Sequence, residues 1–230
     1  MKKIISTILM AVMICMGVNA QSAAELARQQ KELNDILRKS LNAKPTKDAK
    51  KQAKELKKEK WTVPAGDASI ERQITQSQLL GAELMSDETV GSTRRFIQHT
   101  AVSTAGTYNV AYAAARANAQ AEIASMIETE IAAALQIKED NGQLSATSAT
   151  TVDKFHQRIR AIAHESLTNA IPVLSIYRTL PNGNFEVQVR IAFDKKEVAA
   201  RLKRNLQQEL EIEGDELDNM IGGVLNNTTL

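Results

Sequence analysis

Phe185-Glu186-Val187-Gln188-Val189-Arg190-Ile191-Ala192-Phe193 alternates apolar and polar side chains at the two-residue period of an extended strand. Before it stands Pro181-Asn182-Gly183-Asn184, a turn built from residues that tolerate positive φ. Val173 to Leu180, on the other side of that turn, supplies the first arm of a β-hairpin. One face of the second arm is apolar and the other wet, which predicts an antiparallel sheet covered on one side by helices.

Beyond the hairpin, Lys195 to about Glu211 reads as a helix with Val198, Leu202, Leu206 and Leu210 along one side. Upstream, Tyr108 to Ile137 reads as a long helix crowded with alanine (Ala111, Ala113, Ala114, Ala115, Ala117, Ala119, Ala121, Ala124). Alanine is the best helix former and leaves a slim face that another element can approach closely. Ile123, Ile127, Ile131 and Leu135 continue it as an i, i+4 ridge suited to core packing. Asn141-Gly142 and the Ser/Thr-rich run to Thr151 make a loop, and Val152 to Leu167 a second helix with Val152, Phe155, Ile159 and Ile162 on one face. Phe96 to Val102 is a weakly patterned strand. The order strand, helix, helix, strand, strand, helix over 91–212 predicts an α+β domain of two layers, its antiparallel sheet packed on the alanine-rich helix.

Residues 67–90 read as a connecting helix and linker, the helix running from about Ser69 to Glu83 with Ile70, Ile74, Leu79 and Leu80 on its apolar side. Residues 21–66 read as a charged helical arm. Its first helix has only a narrow apolar stripe (Ala24, Leu26, Leu33, Ile36, Leu37, Leu41) and is broken at Asn42-Ala43-Lys44-Pro45. Thr46 or Asp48 can cap a second helix, Lys47 to Glu59, that is polar almost all round. Such a helix buries little surface by itself, which predicts a mobile or partner-dependent arm. Trp61, followed by Val63-Pro64-Ala65-Gly66, reads as an apolar anchor where the arm meets the body.

The N-terminus fixes the expected address. Lys2 and Lys3 precede an apolar run from Ile4 to Val18, and Val18 and Ala20 offer small side chains where a signal peptidase reads. Residues 1–20 are therefore expected to be a cleaved secretory signal, with the mature protein periplasmic or associated with the outer membrane. The run is short for a stable span, which needs about 20 residues. Cys15, the only cysteine, follows Ile14 rather than a small residue, so lipidation there is the lesser alternative. Cleavage after Ala20 leaves a mature chain without disulfides or thiol chemistry.

Without Lys2 and Lys3 the chain carries 27 basic and 27 acidic residues. That balance conceals an asymmetry. Between Lys44 and Lys60 eight lysines face three acids, whereas 209–218 holds six acids and no base, and 213–230 reads as an acidic, flexible tail. The exposed candidates for contact with a partner or an anionic surface are Lys47, Lys50, Lys51, Lys54, Lys57, Lys58 and Lys60, beside Trp61. An export signal argues against nucleic acid as their target and leaves an envelope protein, anionic membrane or glycan; the same helix can also serve as a solvated spacer or pair with the acidic 209–218 segment, within the chain or of a second copy in a homo-oligomer.

No constellation for chemistry stands out. His156 and His164 lie eight residues apart on one helix, more than about 10 Å along the axis, too far for one zinc ion. His99 lies in the weak strand with no nucleophile near it in sequence. Phosphate loops, nucleophile elbows and H-E-x-x-H motifs are absent, so no enzyme, metal or cofactor is expected.

The alanine-rich stretch Ala111-Tyr112-Ala113-Ala114-Ala115-Arg116-Ala117-Asn118-Ala119-Gln120-Ala121-Glu122-Ile123-Ala124 and the hairpin from Ile171-Pro172-Val173 through Val187-Gln188-Val189-Arg190-Ile191 resemble the lipoprotein-twenty antigen group of bacterial outer membranes. That fold type also looks related to the N-terminal domain of flagellar assembly protein T. Ala49 to Trp61, with Pro64-Ala65-Gly66, resembles an arm of exported proteins of Bacteroides-type bacteria. The lipobox of the lipoprotein members is missing here. The resemblance implies an envelope-associated, non-enzymatic domain and carries over no catalytic residue. The alternative is a small-ligand or glycan binding module using the polar sheet face (Arg178, Glu186, Gln188, Arg190), against which sparse aromatic residues argue.

Overall fold

The computed structural model describes residues 27–28, 30–87, 91–140, 160–167, 169–210 and 221. The signal segment, Cys15, His156 and the acidic tail lie outside these. The chain divides into two compact units, Met1–Asn42 and Ala43–Leu230. In the first, residues 30–42 form a helix, α1, in which the Ser40 hydroxyl donates to the Leu37 carbonyl at 2.8 Å.

In the second unit the elements run α2 (Lys47–Lys58), α3 (Ile70–Ala82), β1 (Leu84–Asp87), β2 (Gly91–Arg94), β3 (Phe96–Ala105), α4 (Tyr108–Asp140), α5 (160–166), β4 (Ile171–Thr179), β5 (Phe185–Asp194) and α6 (Lys195–Leu210). This is an α+β fold with antiparallel sheets, as the sequence predicts. The three-stranded sheet has the order β3-β5-β4. The predicted hairpin is present, with Gly183 at φ +82° supplying the turn conformation that an L side chain resists. Pro172, which has no N–H to donate, sits at a register shift on the edge strand β4.

The alternating residues Val187, Val189, Ile191 and Phe193 are all buried. They meet α4, where Ala111, Ala115, Ala119, Ile123, Ile127 and Ile131 repeat every four residues and are fully buried. The small alanine side chains permit close approach of the helix backbone, and the isoleucines supply the larger buried side chains of the helix. Ile162, Ala163 and Leu167 of α5 and its C-terminal end, with Val198 and Leu202 of α6, complete this core.

Two expectations are corrected. Within 67–90 the expected helix is present as α3, but the part read as linker holds Leu84 to Asp87, which pairs with Gly91 to Arg94 as a two-stranded sheet. And the second half of the supposed arm is no free arm. Ala49 and Ala53 of α2 are fully buried and pack with Trp61, Ile70, Ile74, Leu174 and Ile176 in a second core on the other face of the sheet. That face, expected to be wet, is partly covered by α2 and α3. Two alanines carry little apolar surface but permit close approach, and Leu174 and Ile176 of β4 complete the contact.

Local chemistry holds α2 in place. Thr46 caps it, its hydroxyl oxygen accepting from the Ala49 N–H at 3.0 Å while its proton goes to Gln78 Oε1 at 2.9 Å. Asp48 in the first turn and Lys57 and Lys58 in the last complement the helix dipole. At the far end Lys60 adopts φ +68°, the Trp61 N–H donates to the Leu56 carbonyl at 3.0 Å, and Leu56 packs on the Trp61 cluster. This is a Schellman closure with lysine where glycine is usual. Lys60→Gly is therefore expected to raise stability by up to about 1 kcal/mol, and Thr46→Ala to lower it by about 1 kcal/mol, both read from urea unfolding midpoints.

Candidate functional site

At about 100° per residue, Ala49, Ala53 and Leu56 define the inward side of α2. Lys47, Lys51, Lys54 and Lys58 then fall within about 60° of one another on the opposite side. Lys50 and Lys57 lie on one flank, and Asp48, Glu55 and Glu59 on the other. Docking of the alanine stripe thus turns a lysine ridge outward, and all seven predicted lysines are exposed. Lys57 bonds Glu71 of α3 at 2.5 Å and Lys58 bonds Glu55 at 2.9 Å. Among the described residues, Lys47, Lys50, Lys51, Lys54 and Lys60 have no ion-pair partner.

The two pairings shift the acids. A hydrogen bond from Lys58 holds the Glu55 carboxyl below its ordinary range, and one from Lys57 does the same for Glu71. A folded-state pKa below the unfolded one stabilises at pH above the ordinary carboxylate range, and that stabilisation is lost on acidification. The α2–α3 link through Glu71 therefore weakens as the pH falls through that range.

Trp61, the eighth predicted site residue, does not join the ridge. It is only 7 % exposed, with the Arg178 guanidinium carbon 4.7 Å from its ring centroid and its Nε1–H donating to Glu59 Oε2 at 3.3 Å. Backbone bonds in both directions between Thr62 and Tyr177 continue the attachment to β4. Trp61 acts as the anchor that its neighbours in sequence predict.

Between the acidic flank of α2 and the sheet runs a cleft of about 570 Å³, lined by Leu56, Ile74 and Leu174, by Gln188 and Arg190 of β5, and by Asp48, Lys51, Gln52, Glu55, Glu59 and Gln78. Arg190 donates through Nε to Thr100 Oγ1 at 2.7 Å and through Nη1 to Ser77 Oγ at 3.0 Å. Burial lowers its pKa from the ordinary arginine value. Of the other polar-face residues, Arg178 and Glu186 are paired with each other. A second, smaller cleft of about 310 Å³ lies beside Tyr108 and Tyr112, where the Tyr108 hydroxyl meets Ser175 Oγ at 3.1 Å and burial raises its pKa.

Sequence reasoning missed a buried ion pair. Arg95 and Asp194 are almost wholly enclosed; Arg95 Nε and Nη2 donate to Asp194 Oδ2 at 2.9 and 2.7 Å. Asp194 Oδ1 accepts from the Lys196 N–H at 2.9 Å, capping α6. The only signal was an aspartate at a strand-to-helix junction, an ordinary capping position. His99 lies in β3 and His164 in the exposed part of α5. Among the described residues no three histidine, cysteine or acidic side chains group closely enough to hold a metal ion, and no helix is long and apolar enough to cross a membrane. Comparison with protein families, curated proteins and solved structures finds no match to this chain.

Proposed function

We propose that this is an exported, non-catalytic protein of the bacterial envelope, of lipoprotein-twenty type, which uses the lysine ridge of α2 to engage an anionic surface in the periplasm or at the outer membrane. The observation that carries this reading is the docking of α2: a helix held by Ala49, Ala53 and a Schellman closure presents its lysines in one fixed array rather than on a loose tether. A fixed array loses less entropy on meeting a surface than a floppy one. The order β3-α4-α5-β4-β5-α6 supports the family likeness, and the leader supports export.

Flotation with phosphatidylglycerol-rich vesicles tests the reading. The protein is expected to float with them at low salt, to be released at high salt, and to ignore pure phosphatidylcholine. Equal recovery with both vesicle types, or binding that salt does not weaken, would remove the membrane as the target of the ridge. An acidic envelope protein would then be the remaining partner.

A second reading, a small-ligand binding module, is favoured by one observation: the cleft against β5, with Arg190 in its lining.

A further inference from the structure

The Arg190 guanidinium is half-buried on the sheet and oriented by two neutral hydroxyls. The Ser77 proton is committed to Gln98 Oε1 at 2.7 Å, so its oxygen can only accept from Arg190. Of the five N–H groups of a guanidinium, two are thereby used. Among the described residues no carboxylate lies within ion-pair distance of Arg190, in contrast with Arg178, Arg160 and Arg95, which all have one. A fixed, partly desolvated guanidinium without a counter-charge, facing a cleft, is a carboxylate receptor in waiting.

The rest of the cleft narrows the ligand. Leu56, Ile74 and Leu174 give it an apolar wall. Asp48, Glu55 and Glu59 stand along the α2 side. Glu55 is engaged by Lys58 and Glu59 by Trp61 and, at 3.8 Å, Arg178, which leaves Asp48 the least committed of the three. Lys51 shares this flank, and with Glu55 and Glu59 engaged it is Asp48 that offers an ammonium group an anionic partner. The volume falls within the range of about 300–1,000 Å³ typical of small-ligand sites.

We propose that this cleft binds a small zwitterion with an apolar side chain, an amino acid or a short peptide, its carboxylate on Arg190 and its ammonium towards Asp48. The inference rests on the small-ligand reading of the cleft and adds the chemistry of the ligand.

Titration calorimetry of the purified protein with Leu-Leu, L-leucine, N-acetyl-Leu-Leu, Leu-Leu-amide and N-acetylglucosamine decides it. At least one free zwitterion is expected to bind, with the acetylated and amidated dipeptides weaker by at least about tenfold. Tighter binding of Leu-Leu than of L-leucine assigns the site to peptides, and the reverse assigns it to free amino acids. Arg190→Gln should abolish binding while the far-UV circular dichroism is kept, and Asp48→Asn, on the exposed first turn, should weaken it. If Arg190→Gln fails to fold, the ligand analogues and Asp48→Asn carry the test. Amide binding as tight as the free dipeptide would show Arg190 idle, and acetylated binding as tight would show the acids idle; either overturns the proposal. Binding of the sugar alone would keep the small-ligand reading and end the zwitterion, and binding of no probe would end both.

Discussion

Replacing Asp194 by alanine is expected to cost about 3–5 kcal/mol of folding stability, among the largest effects available from a single residue in this protein. The carboxylate is 3 % exposed and the Arg95 side chain 2 %, so neither charge has water to fall back on. One carboxylate oxygen takes two N–H groups of Arg95, and the other caps α6 through the Lys196 amide. Truncation removes a counter-charge and a helix cap together, and the cap alone is worth about 1 kcal/mol. The pair also ties the chain across the end of the sheet, because Arg95 N–H donates to the Glu83 carbonyl and Lys195 N–H to the Arg95 carbonyl. Its presence does not make it an efficient source of stability, since taking two charges out of water is costly. The double replacement Arg95→Met with Asp194→Leu should therefore lose less than Asp194→Ala alone, as read from urea unfolding midpoints. A loss below about 1 kcal/mol for Asp194→Ala would mean that the buried pair does not form in solution.

The second large effect falls on binding rather than folding. Changing Lys47, Lys50, Lys51 and Lys54 together to glutamine removes four exposed ammonium groups without ion-pair partners among the described residues. Near an anionic membrane each lysine is worth about 1 kcal/mol, so the four should weaken vesicle binding by roughly a thousandfold. Folding should barely change, because surface substitutions away from special contacts stay within about 0.5 kcal/mol each. Glutamine keeps helix propensity, so circular dichroism should be preserved. Unchanged flotation of a folded quadruple variant would show that the ridge does not carry the interaction.

Much of the main fold was legible because its signals are local. Asn182-Gly183 between two apolar-alternating runs marks the hairpin, and the alanine density of 111–124 marks a helix approached closely by a sheet. The helical layer on the other face of the sheet was not legible, and the reason is physical. Ala49 and Ala53 add too little apolar surface to register as a buried stripe, although they are the residues that let α2 lie flat on its partners. Leu174 and Ile176, which receive them, belong to a strand whose two faces are both covered, so its sequence runs apolar rather than alternating. The strands Leu84–Asp87 and Gly91–Arg94 carry no alternation at all, and only pairing with each other makes them extended. The same logic divides the candidate sites. Seven lysines announced themselves by composition, whereas the direction they face follows from the two alanines. Arg190 was visible as a polar-face residue, but its burial depends on α3, where Ser77 lies 113 positions away in sequence.

The docked state of α2 is the claim on which the ridge and the Arg190 cleft both stand. Native-state hydrogen exchange of the purified protein tests it directly. The amides of Lys50 to Lys58 are predicted to be protected to an extent comparable with those of α3, since both helices bury residues in the same core. Exchange of those amides at the rate of an unstructured peptide, with α3 still protected, would contradict the account and return Lys47–Lys58 to a free arm.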